Sequence, residues 1–230
     1  VPVKERDVHT RLFFDGHRRV SLLDRFLHGD TTPEDFYQGR YGEQGDFVDH
    51  PYLHDVIYED GQTILCLRRD GHVQSGAVSF PVRIEKRVST RPGSDRVTVF
   101  YRVTNLNEIP ADLRFGVEFN WGIVGGDSSY GFLTADSERR GLGDFAGDDD
   151  IETLTVGSTL PDLAGAVRVR PSRAANLWHF PLEVVSNSEA GYGRVYQGTC
   201  TLLWWSMLLE PRRPWEVEMT IDLRDVQGAA

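Results

Sequence analysis

The stretch Leu113-Arg-Phe-Gly-Val-Glu-Phe-Asn-Trp121 decides the fold. Leu113, Phe115, Val117, Phe119 and Trp121 alternate with Arg114, Gly116, Glu118 and Asn120. Period-two alternation marks a half-buried strand, with one face in a core and the other turned outward. The same period recurs in RVTVFYRVTN (96–105), where Val97, Val99, Tyr101 and Val103 share a face, and in EVEMTIDL (216–223). TLLWWSMLL (201–209) is apolar on both faces, as a central strand covered on each side should be. Within TILCLRRDGHVQSGAV (63–78), the pair Asp70-Gly71 predicts a hairpin turn.

Helix signals are few. SLLDRFL (Ser21–Leu27) fits either a short helical turn capped by Ser21 or the entry to a strand. TPEDFYQGRY (32–41) offers Thr32 as N-cap, Pro33 at the first helical position, and Glu34 and Asp35 in the first turn. The 23 glycines and 11 prolines are scattered as turn punctuation, with no repeat and no low-complexity linker. The expectation is an all-β chain. Residues 1–230 should form a single domain, a large, mostly antiparallel β-sandwich with one or two short helices.

Composition narrows the partners. With 25 basic and 35 acidic residues the net charge is −10, which repels the phosphate backbone of a nucleic acid. A neutral ligand is indifferent to that field. No apolar run approaches about 18 residues, so no membrane-spanning helix is expected. Cys66 and Cys200 lie in apolar, strand-like runs without metal-ligand spacing and read as free, buried thiols. No secretory signal is visible, and a cytoplasmic location is expected. The chain begins at Val1, which fits a domain cut from something larger.

Two places carry candidate chemistry. Glu118 and Asn120 lie two residues apart on the polar face of their strand, about 6.6 Å from one another along it, where a carboxylate and an amide could accept sugar hydroxyls. The stretch WHFPLEVVSNSEAGYGRVYQG (178–198) reads as a loop presenting flat aromatic faces together with amides and carboxylates. Trp178 is its best stacking platform, with Tyr192, Tyr196 and Gln197 beside it and Glu183 and Glu189 as a possible carboxylate pair. GDFAGDDDIE (143–152) gathers Asp144, Asp148, Asp149 and Asp150 but lacks the spacing of a calcium loop, so no metal and no cofactor is assigned.

Three segments carry a family likeness: RRVSLLDRFLHGDTTPEDFYQGRYGEQGDFVDHPY (18–52), EFNW (118–121) and FPLEVVSNSEAGYGRVYQG (180–198). The chain resembles the C-terminal β-sandwich domain of glycoside hydrolase family 57, the 4-α-glucanotransferases and α-amylase-like enzymes. That domain is similar to galactose mutarotase-like folds. The resemblance implies a non-catalytic accessory domain. The family's catalytic carboxylates sit in an N-terminal barrel with no counterpart here, so the implied partners are that barrel and an α-glucan or maltooligosaccharide. A free-standing carbohydrate-binding module is the alternative. A hexose epimerase, working through a Glu and a His, comes third, because none of the seven histidines falls in an epimerase pattern. Phe26, Leu27, Phe36, Tyr37, Tyr41, Phe47 and Tyr52 either face the barrel or seal an edge of their own sandwich.

Overall fold

The alternating stretches fold into two antiparallel sheets packed face to face. The computed structural model describes residues 15–126, 128–188 and 191–224, with backbone alone at 187, 188 and 191. The chain enters through β1 (Leu23–Leu27) and the short helix α1 (Pro33–Tyr37). Long strands follow: β2 (Leu53–Glu59), β3 (Gln62–Ser75), β4 (Val78–Thr90), β5 (Arg96–Asn105) and β6 (Ala111–Trp121). Shorter ones come next, β7 (Gly131–Ala135), β8 (Glu138–Arg140), β9 (Ala146–Ile151), β10 (Leu154–Ser158) and β11 (Gly165–Pro171). The long hairpin of β12 (Ala175–Ser188) and β13 (Gly191–Leu209) precedes β14 (Trp215–Arg224). One sheet has the order β1-β6-β13-β12-β9, the other β2-β3-β4-β5-β14-β11-β10-β7-β8.

The main core lies between the sheets. Phe115, Val117 and Phe119 of β6 point into it and meet Val99, Tyr101 and Val103 of β5 and Val217 and Met219 of β14. Phe115 anchors the middle, its ring 5.7 Å from Tyr101 and 6.4 Å from Trp205. Each such side chain contributes about 1.5–3 kcal/mol by leaving water. β13 is the central strand that its double-sided apolarity predicts, with Leu202 and Leu203 both fully buried on opposite faces.

SLLDRFL proves to be a strand, paired to β6 with Phe26 opposite Phe115. The helix forms where predicted. Thr32 accepts the Asp35 N–H, Asp35 reaches back to the Thr32 N–H, and Pro33 begins the first turn. The Asp70-Gly71 hairpin does not exist. β3 runs straight through it, Asp70 pairs with Arg83 on β4, and a Cβ at position 71 would lie 2.3 Å from Asp46 Oδ1. That glycine serves close approach. Tight turns flank β3 instead: Asp60 and Gly61, both with left-handed φ (49° and 72°), join it to β2, and Gly76 (φ 58°) with Ala77 joins it to β4.

The stretch 178–198 is not a loop either. Both its arms are regular strand, and Trp178 lies in the ladder opposite Leu202. At its base the alternation is hidden because both faces are covered: Leu177 joins the inter-sheet core, while Trp178 and Phe180 form a second cluster with Phe36, Tyr37, Cys200 and Leu202. α1 caps that cluster on the outer face of the five-stranded sheet. Of the seven residues of the N-terminal signature, five are buried and Tyr41 and Tyr52 half-buried, so this segment seals its own sandwich. Cys66 is half-buried, Cys200 buried, and both are free. No helix among the described residues is long and apolar enough to cross a membrane.

Candidate functional site

On its outer face β6 places Glu118 beneath the segment that leads into β1. The side chain has no exposure to solvent. Arg25 donates through Nε and an Nη to Oε2, at 2.8 and 2.6 Å. Arg19 donates to Oε1 at 3.0 Å, Asn120 Nδ2 at 2.7 Å, and the His17 ring lies 3.4 Å away. Burial works against an ionised carboxyl here, yet His17, Arg25, Arg19 and Asn120 outweigh it and hold Glu118 well below the usual carboxylate range. Arg25, itself almost fully buried, also bonds Glu43 at 3.2 Å, and Glu43 Oε1 accepts the Phe26 N–H. Glu118 is a structural tie between β6, β1 and the N-terminal segment. Both of its oxygens are engaged by side chains of the chain itself.

Beside this sealed cluster the outer face opens into a cleft of about 350 Å³. Phe180 and Tyr37, both buried, back its floor with apolar carbon, and Asn120 and Gln197 contribute amides. Two ion pairs stand at its rim: Asp15 with Arg19 at 2.6 Å, and Glu183 with Arg194 at 3.2 Å. A β-bulge shapes the far side, since Leu182 pairs with Gly198 and Glu183 with Tyr196. Gln197 is therefore the extra residue, set out of the ladder at the cleft edge. Aromatic carbon, amides and paired charges in one concave site match a ligand that is neutral, hydroxyl-rich and apolar on its C–H faces.

The predicted site residues disperse. Asn120, Glu183 and Gln197 share the cleft. Trp178 is 6% exposed, held between Phe36 and Trp204, and is no platform. Tyr192 is exposed on β13 away from the cleft lining, while Tyr196 is half-buried with its hydroxyl 2.7 Å from Thr199 Oγ1. Glu189 lies outside the described residues. In the acidic run, Asp148 takes a two-pronged bond from Arg140 and Asp144 accepts the Gly141 N–H. His179 faces inward with neither ring nitrogen partnered among the described residues, and burial, then Arg140, lowers its pKa to about 4. Phe180, Arg19 and Arg194 went unpredicted. All three stood inside quoted stretches, but nothing in the sequence marks which of their neighbours the fold brings to one cleft.

Fold and cleft together define an all-β sandwich with an amphipathic groove on its smaller sheet. The family model described as "Alpha-amylase/4-alpha-glucanotransferase, C-terminal" matches residues 1–219, and the chain belongs to that family. A 4-α-glucanotransferase from Thermococcus litoralis is 29% identical over 96% of this chain, and one from Thermococcus kodakarensis is 31% identical over 84%. The chain spans 28% and 24% of those relatives' lengths. The crystal structure of the T. litoralis enzyme superposes with a TM-score of 0.72 at 26% identity, covering 96% of this chain and 30% of that one. The GH36 α-galactosidase AgaA from Geobacillus stearothermophilus shares the fold at 10% identity (TM-score 0.51), over 97% of this chain and 36% of its own.

Proposed function

We propose that this sandwich is the non-catalytic accessory domain of an α-glucan-processing enzyme of the glycoside hydrolase family 57 type, and that it contacts α-glucan through the outer-face cleft. The family match over residues 1–219, set against relatives of which the chain spans under a third, carries the accessory role. The work on the glycosidic bond then falls to an N-terminal barrel, which this domain supports. In the cleft, Asn120, Glu183 and Gln197 exchange hydrogen bonds with sugar hydroxyls, above an apolar floor that the buried Phe180 and Tyr37 support from beneath. Trp178 and Glu118 shape this surface from behind without touching the sugar. The free thiols of Cys66 and Cys200 favour a reducing compartment such as the cytoplasm.

Calorimetry with maltoheptaose tests the reading. The chain is expected to bind weakly, to bind several-fold more weakly after Gln197→Ala or Glu183→Ala, and to leave the oligosaccharide uncleaved. Turnover of maltoheptaose by this chain contradicts the accessory role. Binding that both substitutions leave unchanged contradicts the cleft.

A further inference from the structure

Two sheets have four edge strands, and three of them are guarded. β8 is three residues long and reads Glu-Arg-Arg. β9 carries Asp148, Asp149 and Asp150, with a left-handed φ of 53° at Asp150 that breaks its register. β1 is covered along its free side, where Phe26 N–H donates to Glu43 and Gln44 N–H to the Phe26 carbonyl. Short length, charge, irregularity and cover are the usual protections of an edge. Among the described residues β2 has no cover and no irregularity, it is not short, and its only charges are Asp55 and Glu59. It is seven residues of LHDVIYE, without Pro, Lys or Arg, and every residue is exposed on both faces. Leu53 is 69% exposed and Tyr58 80%, with Val56 and Ile57 also open.

The ladder phase of β2 is fixed by its turn. Asp60 and Gly61 make a two-residue hairpin loop, so Glu59 and Gln62 exchange both hydrogen bonds. Ile57 and Asp55 then also point their backbone groups at β3, leaving those of His54, Val56 and Tyr58 facing outward. The Val56 N–H agrees: it turns to its neighbour's side chain, Asp55 Oδ1, at 2.9 Å.

We propose that β2 is a dimerisation edge, pairing antiparallel with β2 of a second copy about a two-fold axis at Val56. The outward groups allow axes at His54, Val56 or Tyr58, and at the face-preserving positions between them. An axis at Asp55 sets that carboxylate against its own copy, and one at Ile57 sets Asp55 against Glu59. The Val56 axis places Val56 on Val56, His54 on Tyr58, Asp55 on Ile57 and Leu53 on Glu59. No acid then opposes another, and about six main-chain hydrogen bonds form. The nine-stranded sheet would run on into its copy. A single strand pair buries less than the roughly 1,200 Å² of a standard interface, so the dimer is weak and concentration-dependent.

Sedimentation equilibrium of the 230-residue chain in about 0.15 M salt, where surface charge is screened beyond about 8 Å, reads this directly. The apparent mass is expected to climb from monomer towards dimer as concentration rises. Val56→Pro removes an outward N–H and spares the ladder to β3, and Val56→Lys sets two ammonium groups together on the axis. Both are expected to abolish the climb. A Val56→Cys chain, in a Cys66→Ser background, is expected to form a disulfide-linked dimer under mild oxidation, since paired Cα atoms about 5.5 Å apart suit a disulfide. Ile57→Cys in the same background is expected to form far less. Monomer mass throughout, a dimer that survives both Val56→Pro and Val56→Lys, or equal cross-linking at 56 and 57 overturns the proposal.

Discussion

Glu118 and Glu183 stand on the same five-stranded sheet, each beside an arginine, and their surroundings put the same carboxylate to opposite uses. Glu118 is enclosed, with Arg25, Arg19 and Asn120 on its two oxygens. Glu183 sits at the cleft rim, partly exposed, with Arg194 at 3.2 Å. A carboxylate that receives several donors away from water holds strands together. One that keeps free lone pairs at the mouth of a groove can receive a ligand. Residue type alone distinguishes nothing here; burial and the count of satisfied lone pairs do.

Removing the enclosed carboxylate should have the largest effect. Glu118→Ala leaves Arg25 buried with Glu43 alone as its carboxylate partner and takes from Arg19 and Asn120 the oxygen they share, which costs about 3 kcal/mol. Urea unfolding is expected to show that loss, while Glu183→Ala stays within about 0.5 kcal/mol of the parent, as surface changes do. Trp178→Ala belongs with the first: emptying an aromatic site under α1 costs about 3–5 kcal/mol, and the loss shows in stability before it shows in sugar binding.

Acid separates the buried groups next. The unfolded chain protonates His179 near 6.5, but the folded chain does so only at about 4. Its contribution is therefore complete above about 6.5 and is lost as pH falls through that window, about 3 kcal/mol in all. Glu118 acts lower. Its folded pKa lies below the usual 4.5, so the stability it supplies persists above that value and is lost as pH falls beneath it. Urea midpoints measured from pH 7 to 4 are expected to fall. A His179→Gln chain that keeps the same slope between pH 6.5 and 4.5 contradicts this assignment.

Much of the fold was legible from period-two alternation, because β5 and the start of β14 bury one face and β6 alternates apolar with polar residues even where Glu118 is enclosed. Where both faces are covered the pattern fails, and so the arms of the β12–β13 hairpin read as a loop. Asp70-Gly71 misled for another reason: its glycine answers a close approach by Asp46, a tertiary demand that local sequence does not announce. The cleft was half legible. Asn120, Glu183 and Gln197 were visible as polar groups in apolar context, but their meeting depends on the bulge that sets Gln197 out of register. Trp178 looked like a platform because nothing in its own stretch reveals α1 lying over it.

The smallest expected effect is the most specific. Gln197→Ala should leave stability unchanged and weaken maltoheptaose binding by about 1 kcal/mol, the worth of one hydrogen bond. Affinity electrophoresis beside a urea melt separates the two readouts. An equal loss in both would make Gln197 a structural residue.

The division of the outer face into a sealed half and an open half is tested most directly by titrating maltoheptaose into isotope-labelled chain and following backbone amide resonances. The account predicts shifts confined to residues 181–185, 194–198 and 120–122 around the cleft, with those of 24–27 and 115–118 in the sealed cluster unmoved. Shifts centred on the Glu118 cluster, or no shifts at millimolar sugar, contradict it.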